Sequence, residues 1–259
     1  MDSVDTIEKT RVFKGEGLRA TCFFPRRKNL LVCFDHRRDN RNGFPNIVGG
    51  ALDLKRFGTA ILNIHTSAND WFLNADLPLL RRAARRFTRG FDTVTAHGFS
   101  MGGYAALLLA PDLRLTYATI ISPQYSIQPS RVPFEKRYLE DATQIDPQFD
   151  QFDLEYAKTL KGALLYDPLW IKDRMHKKLI CNDFPRLTPI PFWTGGHPAI
   201  KVINANDKWP SLMREVAKPR PQASEMMRLH KSLRAGFAHY KNSMNNHLSM
   251  RKHSKLRIL

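Results

Sequence analysis

The chain is predicted to be an α/β protein with a mostly parallel central sheet covered by helices on both faces, and three observations carry that expectation. Strand and helix signals alternate through the first 200 residues or so, the pattern of a parallel sheet with crossover helices. The segment Gly98-Phe99-Ser100-Met101-Gly102-Gly103 stands between a β-prone run, Phe91–His97, and a run of helix formers, Tyr104–Ala110, that meets Pro111. At 259 residues the chain can bury one large core, and its length does not require two domains.

The elements follow in order. Leu18 to Phe24 reads as an early strand ended by Pro25. Asn29–Phe34 is a continuous apolar run of the kind a buried central strand needs. A polar loop, Asp35 to Asn46, leads to a helix from about Ile47 to Phe57, and Thr59–Ile64 is the next strand. Asp76 to Thr88 has helical periodicity, with Leu77, Leu80, Ala84 and Phe87 on one side. After the Ser100 unit, Leu115–Ile121 gives a strand ending at Ser122-Pro123. The stretch from 124 to about 160 breaks the alternation with Pro129, Pro133 and Pro147, and is read as a cap-like insertion over the sheet edge, between the strands around 115–122 and 161–166. Gly162–Tyr166 and Thr188–Thr194 resume the strand pattern. These readings divide the chain into a sheet domain over 1–220 and a basic helical tail over 221–259, whose Met226, Leu229, Leu233, Phe237 and Tyr240 recur at helical spacing as a packing face.

Composition narrows the setting. The formal charge of +17 is uneven: residues 201–259 carry 13 Lys and Arg against 3 Asp and Glu. A second basic group, Arg81, Arg82, Arg85, Arg86 and Arg89, has the spacing of a solvated helix face. Such a field draws anionic partners, whether substrate or surface, without specifying a reaction. The tail has no nucleic-acid motif, which disfavours nucleic acid as the partner. Cys22, Cys33 and Cys181 are odd in number and scattered, which fits free thiols in a reducing compartment and gives no metal-ligand spacing. No apolar run reaches the ~18 residues of a membrane helix, and Met1–Thr6 lacks the features of a secretory signal. The expected address is cytoplasmic.

The Gly98–Gly103 segment carries the chemistry. Gly-x-Ser-x-Gly arises by accident in about one chain in ten of this length, so the strand before it and the helix after it are what make it informative. That context is the nucleophile elbow, where a serine in a strained turn is pushed outward and bulky neighbours would collide with strand and helix. A serine alcohol needs a base, and the base needs an acid, in the order Ser, Asp/Glu, His. Ser100 is the candidate nucleophile and His197, in Gly195-Gly196-His197, the candidate base. Asp167, directly after the strand ending at Tyr166, is the candidate acid, with Asp173 as its rival. For the oxyanion, the N–H of Met101 and one from the Asp35 region are the expected donors. His176 is expected on a following helix pointing at solvent, His97 packed beside its strand, and His230, His239, His247 and His253 solvated in the tail. Trp71 and Phe72 read either as pocket lining or as edge packing.

From about residue 17 to 205 the chain resembles the α/β-hydrolase superfamily, by its elbow first, its Gly-His motif second and its Asp third. It departs from the esterase pattern in reading Phe34-Asp35-His36-Arg37-Arg38 where a His-Gly-Gly-type loop is common. The resemblance implies acyl transfer through a serine ester, with neither metal nor organic cofactor, and leaves the substrate open. The expected activity is a serine hydrolase acting on a small-molecule or glycan-linked acyl ester. Acyl transfer to a glycan hydroxyl by the same triad is a second reading, and a non-catalytic binding module with a basic tail is a third.

Overall fold

Side chains alternate along a strand, so a buried sheet with apolar residues at both parities needs a cover on each face. The computed structural model describes residues 8–45 and 57–234, with 236, 240, 242, 244 and 245. Its strands are β1 (Lys9–Lys14), β2 (Leu18–Phe23), β3 (Asn29–Phe34), β4 (Ala60–Thr66), β5 (Thr93–Phe99), β6 (Tyr117–Ile121), β7 (Lys161–Tyr166) and β8 (Leu187–Pro191). They form one sheet in the order β1-β2-β4-β3-β5-β6-β7-β8, antiparallel at β1, β2 and β4 and parallel from β4 onward. The helices are α1 (Leu77–Thr88), α2 (Met101–Leu108), α3 (Ala110–Leu113), α4 (Leu139–Ala142), α5 (Leu154–Ala157), α6 (Ile171–Asp183), α7 (Lys201–Asn204), α8 (Trp209–Val216) and α9 (Ala223–Arg234).

Within β3 the two parities separate cleanly. Leu30, Val32 and Phe34 join the core under α1 and α2, while Leu31 joins the core under α7, α8 and α9. Helix α2 is buried along its whole length, consistent with a sequence apolar on every side. The insertion is tied to it through Asp150, whose carboxylate accepts from Tyr104 Oη at 2.7 Å and pairs with Arg131 at 2.7 Å.

Three expectations change. The edge strand β1 was not anticipated: its Lys9, Thr10, Arg11 and Lys14 are exposed, so burial leaves little periodic signal, and charge on an edge suits a strand that must not pair further. Pro111 does not end the elbow helix. The chain bends at Leu109, and Pro111 sits in the first turn of α3, where its missing N–H costs nothing. In the tail, α9 contacts α7, α8 and β8, with Met226 fully buried and Leu229 and Leu233 against the same core. His230 is therefore buried, stacked on Phe192 with ring centroids 4.4 Å apart. The helix expected at 47–57 lies almost wholly outside the described residues, as do Phe237, His239, His247 and His253.

His97 and His230 are both buried, and desolvation pushes each pKa down to about 4. A folded pKa below the unfolded value of 6.5 means stability is complete above 6.5 and drains as pH falls toward 4, by roughly 3 kcal/mol per histidine. The thermal midpoint is expected to fall steadily between pH 7 and pH 4, and His230→Phe, which keeps the stacked ring, should flatten that slope. An unchanged slope in the variant would contradict this account of His230.

Candidate active site

In a parallel sheet the carboxyl ends of the strands share one edge, and side chains just beyond them meet there. Ser100 leaves β5, Gln124 follows β6, Asp167 and Asp173 follow β7, and His197 follows β8. Ser100 has φ 51° and ψ −123°, a backbone state side chains rarely adopt, so the turn is held by its surroundings. Those surroundings demand glycine. A Cβ on Gly98 would stand 2.3 Å from the Gly102 carbonyl oxygen, and one on Gly102 would stand 2.5 Å from the Asp35 carbonyl oxygen.

Ser100 Oγ lies 3.3 Å from His197 Nε2 and donates to Gln124 Oε1 at 3.3 Å. His197 Nδ1 lies 3.0 and 2.9 Å from the two carboxylate oxygens of Asp173. The carboxylate can only accept, so Nδ1 carries the ring proton and Nε2 presents its lone pair toward Ser100. Ser100 is 7% exposed and Asp173 3% exposed, which keeps these contacts out of bulk water.

The carboxylate hydrogen-bonded to His197 is that of Asp173 and not that of Asp167, which corrects the expectation that Asp167 would be the imidazole's partner. The Asp167 carboxylate accepts the backbone N–H groups of Leu169 at 2.9 Å, Thr194 at 3.2 Å and Gly196 at 2.9 Å. Asp167 therefore shapes the loop that carries His197. Burial raises its pKa, and the three backbone donors offset part of that rise. Ser122 Oγ fixes the far side of the same loop by accepting from the Ala199 N–H at 3.1 Å.

The oxyanion expectation divides. The Met101 N–H opens α2 and has no hydrogen-bond partner among the described residues. Asp35 cannot supply the second donor. Its N–H extends the ladder past β3 to Ile64 O at 3.0 Å, and the next N–H, that of His36, is bonded to Asp35 Oδ1 at 2.9 Å. The Asp35 carboxylate also pairs with Arg38 at 3.0 Å and the buried Arg41 at 2.7 Å, so the charged loop is an internal ion-pair cluster.

Several site residues escaped the sequence reading. Gln124 is fully buried beside Ser100. Tyr138, from the insertion, places its hydroxyl 3.2 Å from His197 Nε2. His176, expected at the surface, is fully buried: its Nδ1 accepts from the Tyr125 N–H at 3.1 Å and its Nε2 donates to Glu135 at 2.9 Å. A signal for that burial exists in the sequence, since Asp173, His176 and Ile180 fall on one helical face. Arg137 then bridges the buried Glu135, at 2.6 Å, to Asp173, at 3.4 Å. Trp71 and Phe72 are both fully buried, Trp71 against the Tyr138 ring with centroids 4.9 Å apart. Among the described residues no cluster of three or more His, Cys, Asp or Glu is arranged to hold a metal, and no helix is long and apolar enough to cross a membrane.

No protein-family model matches the sequence, and no curated protein matches it. Solved structures do resemble it in backbone. A capsule O-acetyltransferase mutant of Neisseria meningitidis serogroup A, in complex with CoA, superposes with a TM-score of 0.55 at 14% identity, over 80% of this chain and 94% of that one. Carboxyl esterase 2 of the fungus Tuber melanosporum gives 0.54 at 13% identity, over 90% and 89%. An esterase of Pyrobaculum calidifontis gives 0.53 at 15% identity, over 83% and 84%. At such identities the likeness is one of fold, and with the sheet order and the elbow already described, this chain has the α/β-hydrolase fold.

Proposed function

We propose that this protein is a serine hydrolase of carboxylic or thio esters that works through an acyl-enzyme. The observation that carries the reading is the continuous contact Ser100–His197–Asp173 at the mouth of the elbow. His197 Nε2 takes the Ser100 proton as Oγ attacks the acyl carbon, and Asp173 holds the tautomer and stabilises the imidazolium. The Met101 N–H, at the positive end of α2, faces the developing oxyanion. Collapse of the tetrahedral intermediate breaks the bond to the alcohol oxygen, which receives the proton from Nε2. Water then attacks the acyl-serine by the same sequence in reverse, with His197 again as base. In this reading residues 124–160 act as the cap of the site, and the three free thiols suit a cytoplasmic address.

A fluorophosphonate probe tests this directly. The peptide containing Ser100 is expected to carry the label, found by mass spectrometry, and a panel of short acyl esters and thioesters should be hydrolysed. Absence of label on Ser100 in the folded protein would leave the binding-module reading in its place.

A second reading keeps the triad and replaces water by a glycan hydroxyl. It is favoured by the net charge of +17, suited to an anionic glycan, and by the likeness to the capsule O-acetyltransferase. A labelled acyl donor offered with and without acidic polysaccharide separates the two, because transfer predicts label on the polysaccharide and hydrolysis predicts free acid only.

A further inference from the structure

His197 Nε2 has a single lone pair, and two hydroxyls are aimed at it: Ser100 Oγ at 3.3 Å and Tyr138 Oη at 3.2 Å. Ser100 has an alternative acceptor in Gln124 Oε1, whereas the phenol, the stronger acid, has the imidazole. The phenol is not there by accident of a loose loop. Tyr138 is 8% exposed, and its ring is held by Trp71 and by the Arg137 and Arg37 guanidiniums, 5.1 and 5.7 Å from its centroid. Those guanidiniums are themselves fixed, Arg137 on Glu135 and Arg37 on Asp141 at 2.7 Å.

A point near both Ser100 Oγ and His197 Nε2 is where the alcohol oxygen of an ester must come, because that oxygen leaves the acyl carbon and takes the proton from Nε2. We propose that Tyr138 is a catalytic residue for that oxygen, donating a hydrogen bond to it as it leaves in acylation. This rests on the triad reading given above. The electron pair of the breaking C–O bond stays on the alcohol oxygen, the proton that reaches it is the one Nε2 took from Ser100, and Tyr138 keeps its own. Burial pushes the phenol pKa up, so the hydroxyl remains a neutral donor across the working pH range.

The dependence on leaving group reads this out. A donor to the departing oxygen matters most when that oxygen is a poor leaving group. Tyr138→Phe is expected to lower kcat/KM about 10- to 100-fold on alkyl acetates, the worth of a hydrogen bond to a charging atom, and only a few-fold on p-nitrophenyl acetate. A plot of rate against alcohol pKa should therefore steepen in the variant. Equal losses on both esters, as a structural role would give, or no loss at all, would overturn the assignment while wild-type labelling by fluorophosphonate leaves the triad standing. A wild-type protein that neither labels nor hydrolyses would remove the triad reading, and this one with it.

Discussion

Asp173→Asn is expected to lower kcat/KM on simple esters by about 10³- to 10⁴-fold. The amide can present an N–H to His197 Nδ1, which favours the tautomer with its proton on Nε2, where it cannot accept from Ser100. It also removes the charge that stabilises the imidazolium, and an equivalent change in another serine triad costs about 10⁴. Asp167→Asn should behave in the opposite way. Asp167 accepts three backbone N–H groups, Oδ1 from Leu169 and Thr194 and Oδ2 from Gly196, and an amide must turn its NH₂ toward at least one of them. A buried donor facing a donor costs about 1–3 kcal/mol, so this variant should melt lower yet retain most of its activity. Kinetics and thermal unfolding measured on both variants decide the matter. Loss of catalysis in Asp167→Asn with an active Asp173→Asn would reverse the assignment.

Glu135→Ala carries the largest expected effect on stability. Glu135 is almost fully buried, with Arg137 at 2.6 Å, His176 at 2.9 Å and Lys172 at 3.7 Å. Removing one partner of a buried ionic cluster strands the others, typically at a cost of about 3–5 kcal/mol. For a chain of this size that corresponds to a fall of roughly 6–20 °C in the thermal midpoint. Acid should narrow the gap. Burial alone would raise the Glu135 pKa, but hydrogen bonds from His176 and Arg137, with the Arg137 charge, outweigh it and hold the carboxyl well below the usual carboxylate range. A depressed carboxylate pKa contributes stability that is complete above the unfolded value, about 4.3, and is lost as pH falls through the folded value. Wild type and variant should therefore differ fully at neutral pH and converge only below about pH 4. A constant difference down to pH 3 would contradict the ionic origin of the effect.

The same cluster links stability to the site. Arg137 joins Glu135 to Asp173, and Tyr138 follows Arg137 directly in the chain. One buried carboxylate thus steadies both the partner of His197 and the backbone that delivers the phenol, so Glu135→Ala should also depress activity in the fraction that remains folded.

Local sequence determined a good deal of this protein. All seven strands read from the sequence begin within two residues of their observed starts, because buried strands and their turn breakers are written in contiguous residues. The elbow was legible for the same reason: its strand, its strained turn and its helix occupy a single run from 91 to 110. His197 was legible by the two glycines before it. Tertiary structure alone decided the rest. Asp167 and Asp173 both follow β7, and only the path of the loop after β8 settles which carboxylate meets the imidazole. Whether the Asp35 N–H is free depends on how far β3 stays paired with β4, a register between distant segments. Tyr138, Gln124 and Glu135 lie in a stretch with no periodicity to betray burial. Periodicity and turn chemistry act between near neighbours, whereas hydrogen-bond partners at a site are chosen by proximity across the sheet edge, which no local pattern encodes.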